Sequence, residues 1–273
     1  MLDSGQIKMQ RAAGKAAVGM SMRGGRVCLD DLHQSGCAKV FLPQIHQPVP
    51  EVVFLNTAGG ITGGDRLNYT LNVGAGAQVT GTTQTAERAY KSCGGTGEIS
   101  VNLSVADGAR LDWLPQETIL FDESNVSRRS EVQLHGSASV LMVETVILGR
   151  MAMGEALNDL SFFDARHVLR DGVPVFIEPL KITGETLRAR SGAAMFGEAT
   201  ALSTIAFVAQ GAEDVAATLR DLDNDPAVSV AVSGWNGKTV LRLMAKDGWP
   251  LRLAVARIVT QLRGAPMPRV WQM

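Results

Sequence analysis

Residues 52–73, VVFLNTAGGITGGDRLNYTLNV, place four glycines within six residues between two apolar runs. A glycine cluster after a strand indicates a turn with positive φ, or a backbone that another group approaches closely. Gly59 and Gly64 have the spacing of a phosphate-binding P-loop, but Asp65 and Arg66 follow where that loop needs lysine and a hydroxyl residue. Because a carboxylate repels phosphate, the stretch predicts a tight turn between two strands and not a nucleotide site.

The composition is typical of a globular protein. The 273 residues are 45% hydrophobic and 19% charged, with a formal net charge of −1, which predicts no general attraction to nucleic acid or to an anionic membrane. The sequence has neither a run of 18 apolar residues nor a signal-like N-terminus, and its three cysteines are widely spaced, as in reduced proteins. We therefore expect a cytoplasmic protein.

Most of the chain has the pattern of short strands. Apolar or alternating runs recur about every 8 to 14 residues from about residue 15 to 185, which predicts a nearly all-β body. The last third predicts three strands, a helical segment with Val215, Leu219 and Leu222, and a second helix from Pro250 to Gly264. We expect one domain over residues 1–273, with a β-rich body (about 15–200) and a β-α-β-β-α tail (about 201–273) packed on it. Trp271 is expected either to bind a partner or to dock on the protein's own core.

Carboxylates interrupt the apolar strands. Glu144 lies in LMVETVIL and Glu178 in VFIEPLKI, whereas Asp65 ends the glycine turn and Glu87 lies in TAERAY. A charged group in a buried strand is costly unless it is paired, hydrated or bound to a cation. These groups therefore either face solvent, or pair with arginines, or line a polar interior.

The pairing arginines expected from sequence proximity are Arg66 and Arg88. If the carboxylates instead face inward, the hydroxyls of Thr83 and Thr85 extend the same set of oxygen ligands. Oxygen ligands in a loose arrangement transfer a divalent cation without trapping it.

Other metal or catalytic chemistry has little support in the sequence. The histidines, His33, His46, His135 and His167, are far apart, and no CxxC pair, GxSxG motif or local Cys–His signature occurs. His33 and Cys37 are four residues apart and would share one face of a helix, which leaves a weak, transient metal contact open.

Five motifs together resemble the UreD family of urease accessory proteins, called UreH in some species. They are LNTAGGITGGD, TTQTAERAYKS, WLPQETILFD, ILGRMAMGE and PRVW, in the order and spacing of the family over about residues 15–271. The motif residues with an expected structural role are Asn56, Thr57, Gly59, Gly60, Gly63, Gly64, Gly149, Arg150, Gly154 and Glu155.

The resemblance implies a mostly β protein with strands stacked in a helical, solenoid-like arrangement and about two helices in the C-terminal third. It implies a scaffold without catalytic residues that binds urease apoprotein and UreF, which recruits the GTPase UreG. Nickel would be cargo, no cofactor would be held tightly, and GTP would be used by UreG. The nickel passage proposed for the family would be lined here by Asp65, Thr83, Thr85, Glu87, Glu144 and Glu178.

Two other functions stay open. A nickel metallochaperone with its own site would need clustered histidine, cysteine or carboxylate ligands. A β-rich hydrolase or transferase with Glu144 or Glu178 as acid/base would need an open pocket with two carboxylates about 5 to 10 Å apart.

Overall fold

The computed structural model describes residues 10–44, 47–150, 153–155, 157–192, 195–220 and 225–272. Its elements, in chain order, are β1 (Ala13–Arg23), β2 (Arg26–Gly36), β3 (Ala38–Phe41), β4 (Glu51–Asn56), β5 (Arg66–Val73), β6 (Gln78–Thr83), β7 (Glu87–Ala89), β8 (Gly97–Val105), β9 (Arg110–Leu114), β10 (Thr118–Leu120), β11 (Asn125–Leu134), β12 (Ser139–Leu148), β13 (Ser161–Arg170), β14 (Val173–Thr183), α1 (Gly184–Arg188), β15 (Ala201–Val208), α2 (Ala216–Arg220), β16 (Val228–Trp235), β17 (Lys238–Ala245) and α3 (Gly248–Arg263). Short 3₁₀ turns precede α2 at Ala212–Val215 and follow α3 at Arg269–Trp271.

The strands form two sheets that face each other. Sheet A has the order β14-β13-β11-β8-β5-β1-β2. Sheet B has the order β16-β17-β15-β12-β9-β6-β4-β3, and the short strands β7 and β10 join it beside β12. From β4 to β13 the long strands alternate between the sheets, and each pairs in parallel with the corresponding strand of the next coil. The predicted solenoid-like stacking of short strands is confirmed.

Parallel pairing aligns equivalent side chains across the coils. Leu71, Leu103, Val132 and Val168 are lateral neighbours in β5, β8, β11 and β13, and each is at most 2% exposed. Rows of this kind bring the inner faces of the two sheets together in one apolar core. Burial of aligned apolar rows therefore fixes the register of the stacked strands.

The glycine stretch forms the turn between β4 and β5, as predicted. Gly59 and Gly64 have φ values of 77° and 89°, which non-glycine residues rarely adopt. A Cβ atom on Gly60 would lie 2.6 Å from the carbonyl oxygen of Arg88, and one on Gly63 would lie 2.6 Å from that of Gly95. The turn therefore needs glycine both for its conformation and for its close contact with the neighbouring coil.

The tail extends sheet B. Strand β15 pairs antiparallel with β12, β17 pairs with β15, and β16 forms the edge. Helix α3 packs on the outer face of this part of the sheet and forms a second apolar core. The Asp247 side chain accepts a hydrogen bond from Trp249 N at the start of α3, and Gly264, with a φ of 63°, ends the helix. The elements of the tail follow one another as β15, α2, β16, β17 and α3. Helix α3 begins at Gly248, before Pro250, and Leu222 lies outside the described residues.

Trp271 docks on the protein's own core. Its side chain is 6% exposed, and its indole Nε1 donates a hydrogen bond of 3.0 Å to the Leu114 carbonyl. The Arg252 guanidinium lies 4.5 Å from the centroid of the indole ring. Of the two roles expected for Trp271, the structure therefore shows docking on the protein's own core.

The possible contact between His33 and Cys37 depended on a helix. The structure instead has the strand β2 over Arg26–Gly36, with His33 exposed and Cys37 partly buried just after the strand. Four residues of extended chain span about 13 Å, so the two side chains do not meet as they would on one helical turn. His46 lies outside the described residues.

Valine at Gly60 or Gly63 tests the turn. The branched side chain would overlap carbonyl oxygens of the next coil, and overpacking of this kind typically costs about 1–3 kcal/mol, or more where backbone must move. We expect low soluble yield and a lowered midpoint in thermal unfolding. Gly19→Ala is the matched control, because the nearest atom to its new Cβ lies at 3.6 Å. Normal solubility and unfolding of both valine variants would contradict the assigned role of the turn.

Candidate functional site

A row of charged side chains lies on the inner face of sheet A. Arg128 in β11 and Asp164 in β13 are lateral neighbours, and Arg166 in β13 faces Glu178 in β14. Arg128, Asp164 and Arg166 are each at most 5% exposed. Asp164 and Arg166 are two residues apart, so strand alternation directs both side chains to the same face. The end of the solenoid is therefore charged inside, unlike its apolar middle.

Sheet B presents a second polar row to the first. Glu144 in β12, Thr204 in β15 and Arg242 in β17 are lateral neighbours across three strands. Glu144 is 3% exposed, so its carboxylate lies within the protein and not in solvent. The two rows meet between the sheets, where residues distant in sequence form one network of ion pairs.

Arg128 is the centre of this network. Its Nε and Nη2 donate hydrogen bonds of 2.9 and 2.8 Å to the two carboxylate oxygens of Asp164, and Nη1 donates one of 2.9 Å to Thr118 Oγ1. Nη1 also lies 2.7 Å from Glu144 Oε2. The guanidinium therefore joins both sheets and the short strand β10 at one point.

Burial and charge act in opposite directions on the pKa values of this group. Burial acts to lower the pKa of Arg128, but the charges of Asp164 and Glu144 outweigh it and raise that pKa. Burial acts to raise the pKa of Asp164, but the charge of Arg128 and the hydrogen bonds it donates lower it. For Glu144 burial prevails over the charge of Arg128, so the pKa of Glu144 is raised.

A second arginine pair continues the network toward the surface. Arg166 Nη1 lies 3.1 Å from Glu178 Oε2, and Arg242 Nη2 lies 2.7 Å from Glu178 Oε1. Arg166 Nε lies 3.2 Å from Asp164 Oδ2. Four buried atoms at these distances lack a hydrogen bond with suitable angles: Glu144 Oε2, Glu178 Oε2, and Nε and Nη1 of Arg166. These four atoms therefore interact within the network by charge, without a well-aligned hydrogen bond to another protein group.

An inner cavity of about 50 Å³ lies on one side of this network. Its lining includes the predicted residues Thr83, Thr85, Glu87 and Glu144, together with Arg128. The Thr83 hydroxyl accepts a hydrogen bond of 2.9 Å from Gln116 N, which fixes it at the cavity wall. Four of the six predicted lining residues are therefore brought together here.

An outer cavity of about 410 Å³ lies on the other side. Its polar lining includes Glu144, Arg166, Glu178, Lys181 and Arg242. Glu144 belongs to the walls of both cavities, and Glu178 belongs to the outer one. Glu144 is consequently the residue that the two linings share.

Glu87 is a second carboxyl group in the wall of the inner cavity whose pKa is raised. Burial raises the pKa of Glu87 to about 7, although a hydrogen bond from Asn56 and the charge of Arg128 act to lower it. Asn56 Nδ2 donates at 3.0 Å to Glu87 Oε1 and at 2.9 Å to the Gly60 carbonyl oxygen. The family motif therefore connects the glycine turn directly to the wall of the inner cavity.

Asp65 has a different environment from the other predicted lining residues. Its Oδ1 accepts a hydrogen bond of 2.8 Å from Ala12 N, and its Oδ2 accepts one of 2.9 Å from Thr62 N. Asp65 is absent from the linings of the inner and the outer cavity. The sequence neighbour Arg66 pairs with Glu98 at 3.2 Å, so Asp65 is held by backbone amides and not by that arginine.

The remaining motif residues stabilise the chain between β12 and β13. Arg150 Nε donates at 3.1 Å to Glu155 Oε2, and its guanidinium lies 4.2 Å from the centroid of the Phe121 ring. Gly149 and Gly154 have φ values of 77° and 69°. At the glycine turn, the Thr57 hydroxyl donates at 3.0 Å to the Cys37 carbonyl oxygen. These contacts give the motifs a structural role near the site.

Several members of the network were not predicted from the sequence. They are Thr118, Arg128, Asp164, Arg166 and Arg242. The alternation of β11 could have indicated Arg128, because Val126 and Val132 are buried and have the same parity as Arg128. Arginine side chains are seldom buried in a protein interior, so the sequence alone predicts an exposed Arg128.

The described residues contain no group of three or more His, Cys, Asp or Glu side chains that could hold a metal ion. Within the same part of the chain, no helix is both long and apolar enough to cross a membrane. The site therefore consists of single carboxylates paired with arginines, not of a clustered ligand set.

The fold is a β solenoid of parallel strands, and its charged site lies inside the protein beside two cavities. These features define a β-rich protein with an internal polar site. A model of the family described as UreD urease accessory protein matches residues 12–272, and the chain belongs to this family. It is 50% identical over 264 residues to urease accessory protein UreD of Cereibacter sphaeroides, covering 97% of this chain and 96% of that protein. The UreD proteins of Dinoroseobacter shibae and Jannaschia sp. are 52% and 47% identical, with coverage of 97% and 100% of this chain and 94% and 100% of theirs.

Glutamine at position 87 tests the raised pKa of this carboxyl group. The folded protein keeps the Glu87 proton up to about pH 7, whereas the unfolded chain loses it near the ordinary value of 4.5. The wild type therefore loses stability as the pH rises through this window, and a glutamine does not. We expect Glu87→Gln to be more stable by about 2 kcal/mol at pH 8 and nearly equal at pH 4.5, as measured by urea unfolding.

Glu131→Gln is the control for this experiment, because it makes the same chemical change at an exposed position of β11. Its free energy of unfolding should stay within about 0.5 kcal/mol of the wild type across the pH range. Equal stability of Glu87→Gln and wild type at pH 8 would contradict the raised pKa.

Proposed function

We propose that this chain is a non-enzymatic scaffold of urease maturation that conducts nickel through an interior passage in the cytoplasm. In this function it binds the urease apoprotein and UreF, and UreF brings the GTPase UreG, which uses the GTP. The observation that carries the proposal is that the buried residue Glu144 lies in the walls of both cavities.

The inner cavity offers oxygen ligands to a cation. Thr83, Thr85, Glu87 and Glu144 contribute hydroxyl and carboxyl oxygens. A volume of about 50 Å³ leaves room for only a few water molecules. A hydrated divalent ion must therefore exchange part of its water shell for protein oxygens, and the ligand set is loose enough to release it.

The arginines prevent the carboxylates from becoming a trap. Glu144 contacts Arg128, and Glu178 lies between Arg166 and Arg242, so a cation must compete with a guanidinium at each carboxylate. Buried carboxylates without such partners would be unstable in the empty protein. The pairing thus supports transient passage of nickel in preference to tight storage.

The same features argue against the two other functions. A metallochaperone site would need clustered ligands, and the described residues contain no such group of three. A hydrolase would need a carboxylate pair free to exchange protons with substrate, whereas Glu144 and Glu178 both contact arginines. Asp65, whose oxygens accept from backbone amides, supports the turn in this proposal and does not belong to the passage.

Glu144→Gln tests the passage. The amide keeps the size of the side chain but removes its charge, and Arg128 keeps Asp164 and Thr118 as partners, so the fold should persist. The chain is co-purified with urease apoprotein, UreF and UreG, and GTP-dependent activation and nickel content of urease are measured. We expect normal assembly with at least tenfold slower activation.

Glu98→Gln is the matched control, because Glu98 is an exposed carboxylate on the outer face of β8. It should assemble and activate urease like the wild type. Full activation and normal nickel content with Glu144→Gln would refute the passage, and failed assembly of the wild type would refute the scaffold role.

A further inference from the structure

Arg128 contacts the residue that the two cavities share. It lines the inner cavity, and its Nη1 lies 2.7 Å from Oε2 of Glu144, which lines both cavities. While Arg128 and Glu144 are paired, the Arg128 guanidinium occupies the position next to the Glu144 carboxylate. The proposed passage is therefore closed at this point in the structure described here.

The two acidic partners of Arg128 are not equivalent. Asp164 receives two aligned hydrogen bonds, is 0% exposed and lines neither of the two cavities. Glu144 Oε2 lies 2.7 Å from Arg128 Nη1, but the angles of this contact do not suit a hydrogen bond. Bidentate pairing of arginine with a carboxylate is the stronger arrangement. Glu144 is consequently the partner that Arg128 releases more easily.

Arg128 has other contacts that hold it while Glu144 is released. Its Nη1 donates to Thr118 Oγ1 at 2.9 Å, and its guanidinium carbon lies 5.7 Å from the centroid of the Phe162 ring. Together with Asp164, these groups neutralise and solvate the guanidinium on the side away from Glu144. Release of Glu144 thus leaves no unpaired cation in the interior.

A divalent cation competes well for the position that Arg128 holds. At equal distance, a charge of +2 is attracted to the Glu144 carboxylate twice as strongly as a guanidinium, and it repels Arg128 toward Asp164. A monovalent cation has no such advantage over the guanidinium, which in addition donates hydrogen bonds. The exchange therefore favours divalent ions by charge.

We propose that Arg128 is the gate of the passage: a divalent cation moves between the cavities by replacing the guanidinium at Glu144, while Arg128 stays bound to Asp164 and Thr118. The inference rests on the proposed passage and assigns its selectivity to one positioning residue. Arg128 touches no cargo, and it acts by occupying the carboxylate that the cargo needs.

The gate is tested by replacing Arg128 and Asp164 at the same time. Because both charges are removed, neither is left buried without its partner. In the full-length chain with Arg128→Met and Asp164→Asn, Glu144 has lost its competitor. We expect calorimetric titration with Ni²⁺ alone to give one site with a Kd at least tenfold lower than in the wild type. Adding Glu144→Gln should return the Kd to the wild-type value, a dependence that a purely structural role of Arg128 does not produce.

Arg128→Lys provides a second variant if the double variant does not fold. A lysine ammonium is a point charge that cannot hold Asp164 bidentately and reach Thr118 and Glu144 together. Ni²⁺ should then bind more tightly than in the wild type, again only with Glu144 present. Unchanged Ni²⁺ affinity in these variants, or a gain that survives Glu144→Gln, overturns the gate.

The gate and the passage fail in different measurements. Full activation of urease by the chain with Glu144→Gln alone would refute the passage. If activation depends on Glu144 but the Ni²⁺ affinity is unchanged after removal of Arg128, only the gate is refuted.

Discussion

Parallel pairing of successive coils is the constraint on which the rest of this structure depends. It places equivalent residues of neighbouring coils side by side, so each inward position belongs to a row that crosses several strands. An apolar row, such as the one through Leu71 and Leu103, packs without further requirements. A charged residue in the row must find its partner on an adjacent strand or on the facing sheet, because an unpaired buried charge is costly. The pairing of Arg128 with Asp164 follows directly from this alignment.

The charged end of the solenoid combines stability with access. Arg128 with Asp164 forms a buried, bidentate pair, whereas Glu144 and Glu178 are held by contacts that leave hydrogen-bonding capacity unused. Buried ion pairs contribute little net stability compared with apolar packing, and they are strongly destabilising when one partner is lost. Their position beside the two cavities is the one that the proposed passage of a cation would use.

Much of the fold was predictable because it depends on local pattern. Strand length, alternation and glycine punctuation indicated the β body, and the signals at Pro250 and Gly264 bounded α3 closely. The same local rules could not place Arg128 or Asp164, since an arginine in an alternating strand is usually outside. They also left open a contact between His33 and Cys37 on one face of a helix, and the structure has the strand β2 there instead.

The sequence by itself determined the class of fold, the glycine turn and membership of the UreD family, because these depend on periodicity, backbone freedom and motif order. It also identified Thr83, Thr85, Glu87 and Glu144, which line one cavity. Only the tertiary structure decided which arginines neutralise the carboxylates and that Glu144 lies in the walls of both cavities. The physical reason is that register between distant strands, not separation in sequence, determines which charges share a low-dielectric interior.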